Sequence, residues 1–333
     1  MKDREEEGKK KMKKKVLSVL LTGVLAMTAL TGCGGSDAAK SEGANTEVAA
    51  EENADATVTE NKGEDVAAAS EFDPNEMISV YSREDGSGTR GAFIELMGIE
   101  QKDENGEKVD YTTVEAIITN STDVMMTSVA GYEYAIGYVS LGSMNDTVKA
   151  VKVDGAEATV ENIKSGTYTV ARPFNIATTS EVSDVALDFI NFIMSADGQA
   201  IVEDNGYIAV SEAAEFVTSG ASGKIVVGGS SSVSPVMEKL IEAYKVVNSG
   251  AEIELQTTDS SSGMTGTADG TLDIGMASRE LKDSELELGL TGTKIAMDGI
   301  AVIVNQENPI EDMSSEDIKN AFTGEISTWS EVQ

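Results

Sequence analysis

Apolar residues along this chain fall into two alternating patterns, short runs and helical stripes. The short runs, rich in β-branched residues, predict strands at Ile78–Tyr81, Ile136–Val139, Val148–Val153, Ile225–Val227, Glu252–Gln256, Leu272–Met276 and Ile300–Val304. Apolar residues at helical spacing predict helices within Ala92–Met97, Val185–Ile193, Val233–Tyr244 and Ser314–Phe322. Strands that alternate with helices predict an α/β fold with largely parallel sheets.

The first 72 residues lack this pattern. Residues 1–32 combine a lysine-rich start, a short apolar run and small residues, which predicts a secretory signal peptide, with Met12 a more typical start than Met1. The segment Leu30–Cys33 is similar to a bacterial lipobox, so we expect lipidation at Cys33 rather than a stray thiol. Residues 33–72 are small and acidic and predict a disordered tether, because such a segment cannot bury enough apolar surface to fold.

Composition narrows the chemistry. The 333 residues include no histidine and one cysteine, which excludes Ser-His-Asp and Cys-His catalysis and histidine-based zinc sites. We therefore predict no enzymatic activity, no metal and no cofactor. The net charge of −33 excludes nucleic acid as a partner, because that partner needs a basic face. A local site can still bind an anion, because distant surface charge is screened by salt.

Four predicted strands end in hydroxyl-rich segments, two of them with arginine. These segments are Tyr81–Gly91, Val227–Pro235, Gln256–Met264 and Leu272–Arg279. Taken singly, serine and glycine clusters are typical of turns and caps, and Arg83 beside Asp85 is compatible with a surface ion pair. Together they indicate a ligand site, because ligands of open α/β sheets bind at the carboxyl ends of strands. Backbone N–H groups, hydroxyls and a guanidinium are the groups that hold a small oxyanion.

These motifs as a set, with Ala135–Val139, Arg172–Phe174, Asp298–Asn305 and Phe322–Val332, resemble the phosphate-binding proteins of bacterial ABC importers. The resemblance covers nearly everything from Met77 to the end. It implies a two-lobe periplasmic-binding-protein type II fold with a central cleft. It also implies a monomer that binds inorganic phosphate, is lipid-anchored on the outer face of the cell membrane and partners a membrane permease.

The order of the motifs departs from that family. There the Gly-Ser-Ser-Ser-Val segment comes first, whereas here it follows the segment at Arg83. We therefore predict a circularly permuted order, rather than a broken tandem array, because each segment occurs once. When the family's fold is carried over to this order, lobe A comprises residues 73–170 and 300–333, and lobe B comprises residues 171–299. The chain is expected to cross the hinge between the lobes near Tyr168–Pro173 and Met297–Ala301.

The resemblance also assigns ligand contacts residue by residue. The expected contacts are Arg83, Ser87, Gly88, Thr89, Ser232, the backbone of Val233, Ser261 and Ser278. Asp85 is expected to orient Arg83, and Ser262 is the register alternative to Ser261. Some family members have an aspartate where this chain has Ser278, and that aspartate accepts the proton of phosphate and excludes sulfate. A serine can accept or donate a hydrogen bond, so strict selectivity does not follow here.

Two alternative functions stay open on the sequence. One is a binding protein for another tetrahedral oxyanion, such as sulfate. The other is a sensor or adhesin that keeps the fold but serves a different partner. A phosphatase is disfavoured, because the chain lacks histidine and clustered carboxylates for a two-metal site.

Overall fold

The computed structural model describes residues 72–333; the predicted signal peptide, nearly all of the tether and Cys33 lie outside this range. Its strands are β1 Ser79–Arg83, β2 Glu100–Lys102, β3 Lys108–Asp110, β4 Ile117–Thr119, β5 Ala135–Ser140, β6 Val148–Ala150, β7 Lys152–Val153, β8 Ala171–Thr178, β9 Gly223–Ser230, β10 Ala251–Thr258, β11 Ile274–Ala277, β12 Thr291–Asn305 and β13 Asp312–Met313. Its α-helices are α1 Gly88–Leu96, α2 Thr122–Ala130, α3 Val160–Lys164, α4 Asp184–Met194, α5 Ala196–Asp204, α6 Ser234–Val247, α7 Ser260–Ala268, α8 Asp283–Glu287 and α9 Ser315–Thr323.

The α/β class is confirmed, but the main sheet is mixed rather than largely parallel. Its strand order is β10-β9-β11-β8-β12-β5-β1-β4, with β6 also paired to β12. Strands are parallel toward both edges, where β9 pairs with β10 and β11, and β1 pairs with β4 and β5. The central strands β8 and β12 run antiparallel to their neighbours. The pattern analysis did not predict β8, because Pro173 and Asn175 interrupt its apolar run.

Strand β12 passes through two separate sets of buried apolar residues. Core A draws its residues from 78–170 and 300–329, and core B draws its residues from 174–296. The first part of β12 pairs with β8 and supplies Ile295 to core B, whereas its last part pairs with β5 and supplies Val302 to core A. Within residues 72–333 no single helix is long and apolar enough to cross a membrane; the bent pair α4 and α5 passes on length and composition alone.

The start and the end of the described chain lie side by side. Met77 and Thr328 form an antiparallel bridge, and the Ile78 N–H donates to the Ser327 carbonyl at 2.8 Å. Trp329 is almost fully buried in core A, and its indole N–H donates to the Tyr134 carbonyl at 3.2 Å. Both ends are therefore fixed to the same part of core A.

Two glycines allow β9, β11 and the start of α7 to approach backbone to backbone. Gly229 has φ of 135°, a conformation that favours glycine, and a Cβ there would lie 2.4 Å from the Met276 carbonyl oxygen. A Cβ on Gly263 would lie 2.8 Å from the Cα of Gly229. This contact brings the end of β9 against the first turn of α7, where hydroxyl side chains of both elements meet.

We expect Gly229→Ala to lower the free energy of unfolding by about 3 kcal/mol or more, because it combines backbone strain with overpacking. Gly166→Ala is the matched control: Gly166 has φ of 75° but open space around its Cβ position, so only a backbone cost of about 1 kcal/mol is expected. Chemical denaturation of both variants measures the difference. Equal losses of unfolding free energy in the two variants would show that the fold does not depend on the close backbone contact at Gly229.

Candidate anion-binding site

Seven buried hydroxyl side chains meet between core A and core B. This hydroxyl cluster consists of Thr89, Thr122, Ser230, Ser231, Ser232, Ser260 and Ser278, none more than 7% exposed. Thr89 and Thr122 lie at the starts of α1 and α2, on the core A side, and the serines lie at the ends of β9 and β11 and the start of α7. The Thr89 hydroxyl is 2.9 Å from that of Ser232 and 3.3 Å from that of Ser278, so the two sides are in direct contact.

Arg83, at the end of β1, presents its guanidinium to this cluster. The side chain is 2% exposed, and its Nε and Nη2 donate to the two carboxylate oxygens of Glu84, both at 2.8 Å. Nη2 also donates to the Ser231 hydroxyl at 3.1 Å, and Nη1 lies 3.5 Å from the Thr122 hydroxyl. One edge of the guanidinium is thus fixed by a carboxylate, and the other edge faces the hydroxyls.

Two neighbours hold the backbone of Arg83. Arg90 donates to the Arg83 carbonyl at 2.6 Å, and the Arg83 N–H donates to the Tyr138 hydroxyl at 3.2 Å. Burial raises the pKa of Tyr138 to about 12, so this hydroxyl stays neutral at physiological pH. The ring of Tyr138 stacks on Phe93 of α1, which links the strand to the helix that follows it.

A second buried arginine reaches the cluster from the crossing of β8 and β12. Arg172 Nη1 pairs with Asp298 at 2.5 Å, its Nε donates to the Ser278 carbonyl at 2.9 Å, and its Nη2 donates to the Thr89 hydroxyl at 3.0 Å. Both side chains of the ion pair are at most 2% exposed. Burial raises the pKa of Asp298, while the guanidinium of Arg172 opposes that rise.

Fixed donors set the direction of the hydroxyl dipoles. Thr89 accepts from Arg172, Ser231 accepts from Arg83, and Ser260 accepts from the Ser278 N–H at 3.1 Å. Ser230 accepts from the Ser232 N–H and donates to the Ser278 hydroxyl at 3.0 Å. An oxygen that accepts from a fixed N–H keeps its own proton to donate elsewhere. The cluster can therefore offer several protons to one bound anion.

Glycines at the turn before α1 keep side chains out of the cluster. A Cβ on Gly88 would lie 2.4 Å from the Ser260 hydroxyl and 2.8 Å from the Ser278 hydroxyl. A Cβ on Gly86 would lie 2.1 Å from the Asp259 carboxylate. The Gly-Ser-Gly sequence at 86–88 therefore allows the turn to lie directly against the elements of core B.

Some predicted contacts lie in the cluster and others lie at its edge. Arg83, Thr89, Ser232 and Ser278 are brought together, with Gly88 beside them. Ser87 caps α1 by accepting from the Arg90 N–H at 3.2 Å. The Val233 N–H donates to the Ser230 carbonyl at 3.0 Å, so it is part of the turn before α6.

Among the serines of α7, Ser260 belongs to the hydroxyl cluster. Ser261 lies outside the hydroxyl cluster, where its N–H donates to the Gly86 carbonyl and its hydroxyl accepts from Arg279 at 3.3 Å. Ser262 is further out and donates to Asp259, the residue that caps α7. Ser260 is the first residue of α7, and its side chain is fully buried in the cluster.

The structure corrects the role predicted for Asp85. Its carboxylate is 98% exposed and pairs with Arg90 at 3.0 Å, not with Arg83. Glu84 orients Arg83 instead. Strand alternation would put Asp85 on the same face as Arg83, but β1 ends at Arg83 and a turn closed by the Ser87 N–H and the Glu84 carbonyl follows, so the alternation does not extend to Asp85. Sequence analysis also missed Thr122 and the contact of Arg172 with the cluster. Arg172 belongs to the Arg-Pro-Phe motif, which is part of the family resemblance. Its distance in sequence from the other segments gave no indication that it contacts them.

A third arginine closes the edge of the site. The two terminal guanidinium nitrogens of Arg279 pair with the carboxylate of Glu285, at 2.7 and 2.8 Å. The aliphatic part of Arg279 lies over Gly88 and Gly91 of α1. The pKa of Glu285 is lowered: burial opposes the shift, but the hydrogen bonds from Arg279 and from the Lys282 N–H outweigh it. A cavity of about 630 Å³ lies outside this arginine, between α1 and residues 279–283.

The arrangement is suited to binding an anion. Two guanidiniums donate into one buried group of hydroxyls, and each guanidinium also has its own carboxylate partner. No group of three or more carboxylates within residues 72–333 is placed to hold a metal ion.

Comparison with known proteins places these features in a family. The PBP superfamily domain matches residues 53–197 and 216–333. The phosphate-binding protein PstS 2 of Streptococcus agalactiae is 53% identical over 256 residues, which cover 77% of this chain and 87% of that protein. PstS 2 of Streptococcus pneumoniae serotype 4 is 44% identical over 268 residues, 80% of this chain and 91% of that one. The crystal structure of a phosphate ABC transporter phosphate-binding protein from Streptococcus pneumoniae TIGR4 is 44% identical, with a TM-score of 0.62, and the match covers 77% of this chain and all of that one.

We expect Asp298→Ala to lower the free energy of unfolding by about 3–5 kcal/mol, because it leaves the Arg172 charge buried without a partner. Asp85→Ala is the matched control and should change stability by no more than about 0.5 kcal/mol, because Asp85 pairs at the surface. Urea denaturation measures both. The double variant Arg172→Met with Asp298→Leu should regain most of the loss; a single Asp298→Ala variant as stable as the unchanged protein would contradict the burial argument.

Proposed function

The chain belongs to the PBP superfamily and, within it, to the family of the phosphate-binding proteins PstS, and on that basis we propose that it captures inorganic phosphate for an ABC importer. The observation that carries this proposal is the Arg83 guanidinium, which is buried, oriented by Glu84 and turned toward the hydroxyl cluster. The protein acts by binding, not by catalysis. Its partner is the membrane permease of the importer.

The cluster supports tight binding for a physical reason. In water a phosphate oxygen is already hydrogen-bonded, so the protein must replace every bond that the ligand loses. Arg83 and the hydroxyls of Thr89, Ser232 and Ser278 come from different elements and replace those bonds together. Hydrogen bonds to a charged group are stronger than those between neutral groups, and a buried site strengthens them further.

Cores A and B are proposed to be the two lobes of the binding protein. Residues of 73–170 and 300–333 then form lobe A, and 171–299 form lobe B. The hinge lies where β8 begins and where β12 passes from one core to the other, at the Arg172–Asp298 pair. A hinge placed so close to the cluster supports closure of the lobes on the ligand.

The segment order is proposed to be shared with the streptococcal relatives. Matches that cover 87% and 100% of those proteins support the same order of segments in both chains. In the order expected for the family, the Gly-Ser-Ser-Ser-Val segment comes first. Relative to that order, this chain and its streptococcal relatives would both be circularly permuted. The bridge between Met77 and Thr328 supports this reading, because opening one loop of a fold leaves the two new ends side by side.

The place of action is proposed to be outside the cytoplasm. Binding components of importers of this kind meet their ligand before it crosses the membrane, and the predicted signal peptide at residues 1–32 supports export. Lipidation of Cys33 would anchor the protein to the outer face of the membrane, beside its permease. The signal peptide and the lipidation of Cys33 are proposed from the sequence alone.

Isothermal titration of the purified protein with phosphate tests the main proposal. We expect heat of binding for the unchanged protein and at least a 30-fold weaker affinity, about 2 kcal/mol, for Arg83→Lys, because lysine cannot keep both the Glu84 contact and the cluster contact. Circular dichroism of the variant checks its fold. No binding of phosphate by the unchanged protein would refute the proposal, and full affinity in a folded Arg83→Lys variant would refute the role of Arg83.

Neighbouring carboxylates give a second test. Glu84→Gln should weaken phosphate binding by about tenfold, because Arg83 loses the charged partner that holds its orientation. Asp85→Asn should leave the affinity within about twofold, because Asp85 is exposed and contacts only Arg90. The same titration measures both variants. A larger loss for Asp85→Asn than for Glu84→Gln would reverse the assignment.

A further inference from the structure

Core A and core B meet at a second point, where the ring of Tyr207 lies against the turn that follows β5. Tyr207 comes after α5 and belongs to core B, whereas the turn is Leu141–Ser143 and its Leu141 packs against core A. A Cβ on Gly142 would lie 2.4 Å from the ring of Tyr207, so only glycine allows the ring to lie against the backbone here. We call the packing of Tyr207 on Gly142 the pivot contact.

Strand β12 holds both partners of the pivot contact at the place where it passes from core B to core A. Ile208 and Met297 exchange two backbone hydrogen bonds, both of 2.9 Å, which fixes the segment that carries Tyr207. The Gly142 N–H donates to Asp298, the next residue of β12, at 3.2 Å. The two partners are thus attached to consecutive residues of one strand, at the position proposed for the hinge.

The pivot contact is connected to the anion site without being part of it. One oxygen of Asp298 accepts from Gly142 and the other accepts from Arg172, which in turn donates to the Thr89 hydroxyl. Within residues 72–333, Tyr207 forms no hydrogen bond to a member of the hydroxyl cluster. Burial and the nearby Asp298 carboxylate raise the pKa of Tyr207 to about 12, so the residue stays neutral and its contact is one of packing.

Building on the proposed phosphate site and lobes, we propose that the pivot contact holds the two cores in the arrangement that assembles the hydroxyl cluster, and that Tyr207 thereby helps to set the affinity for phosphate. A rotation that separates the ring from the turn loses buried packing. A rotation in the opposite sense drives the ring into the backbone of Gly142, where no space remains. Either movement costs free energy, so the contact favours the assembled arrangement, and Tyr207 is a positioning residue.

Tyr207→Leu tests this inference, because leucine keeps an apolar side chain but removes the ring. We expect phosphate to bind about tenfold more weakly, because a smaller fraction of the protein is then in the assembled arrangement. Tyr207→Phe keeps the ring and should bind phosphate within about twofold of the unchanged protein. Titration calorimetry of the full chain with sodium phosphate measures both variants. Equal weakening in the two variants, or none in a folded Tyr207→Leu variant, overturns the role of the ring.

Tyr244→Leu is the matched control for damage to core B. Tyr244 is as buried as Tyr207, but its ring packs on Phe189 and Phe192 within core B. The substitution should lower stability in chemical denaturation, yet it should leave the phosphate affinity within about twofold, because it does not change the contact between the cores. A loss of affinity as large as that of Tyr207→Leu would show that any damage to core B suffices and would overturn the inference.

Gly142→Ala tests whether the two partners act through each other. Alone, it should weaken phosphate binding, because its methyl group must displace the ring of Tyr207. When Tyr207→Leu is already present, Gly142→Ala should change the affinity by less than about twofold further. Losses that multiply in the double variant would show that Gly142 and Tyr207 act independently, which contradicts a shared contact.

The distance between the cores gives a readout that local damage would not change. Cys33 is the only cysteine of the chain, so Cys33→Ser with Thr127→Cys on α2 and Glu238→Cys on α6 places one spin label on an exposed position of each core. Without phosphate, we expect Tyr207→Leu to broaden the distribution of label distances, and saturating phosphate should restore the distribution of the unchanged protein. An unchanged distribution without phosphate overturns this inference and leaves the proposed function intact. Failure of the unchanged protein to bind phosphate overturns both.

Discussion

Two buried guanidiniums, each held by its own carboxylate, set the direction of the hydrogen bonds in the site. Arg83 is fixed by Glu84 and Arg172 by Asp298, and both donate into the same group of hydroxyls. An arginine cannot accept a hydrogen bond, so every hydroxyl that it contacts must turn its oxygen toward it. The protons that remain are then available to a ligand. The rest of the fold places these two ion pairs on either side of the cluster.

Much of the architecture could be predicted from the sequence, because burial imposes periodic apolar patterns. The strands at Ile225–Val227 and Ile300–Val304 lie within β9 and β12, and the helix at Val233–Tyr244 lies within α6 apart from Val233, which immediately precedes it. The central antiparallel strand β8 could not be predicted in this way, because its polar and proline residues are accommodated by tertiary contacts. The direction of β12 follows from its pairing with β8, which no local pattern encodes.

The sequence predicts which segments form the site, but not which of their side chains contact one another. The segments at Arg83 and Gly228 do meet, because both follow strands whose carboxyl ends reach the same cleft. Finding that Ser260 rather than Ser261 joins the cluster requires the exact start of α7. Asp259 caps that helix, but each serine after it is also a common cap residue, so the sequence allows more than one start. Choosing Glu84 rather than Asp85 requires the geometry of one turn. Thr122 and Arg172 enter from distant segments, so only the tertiary fold brings them to the cluster.

The cluster is divided between the two cores, and this division has a consequence for kinetics. Thr89 belongs to one side and Ser232 to the other, so a ligand bound by both keeps the two sides together. With the lobes and hinge proposed above, dissociation would require the contacts across the cleft to break together, and the residence time of the ligand would follow the rate of that opening. Release of the ligand to a membrane partner would then depend on which protein separates the two sides of the cleft. The lifetime of the complex can thus change by orders of magnitude without any change in the groups that touch the ligand.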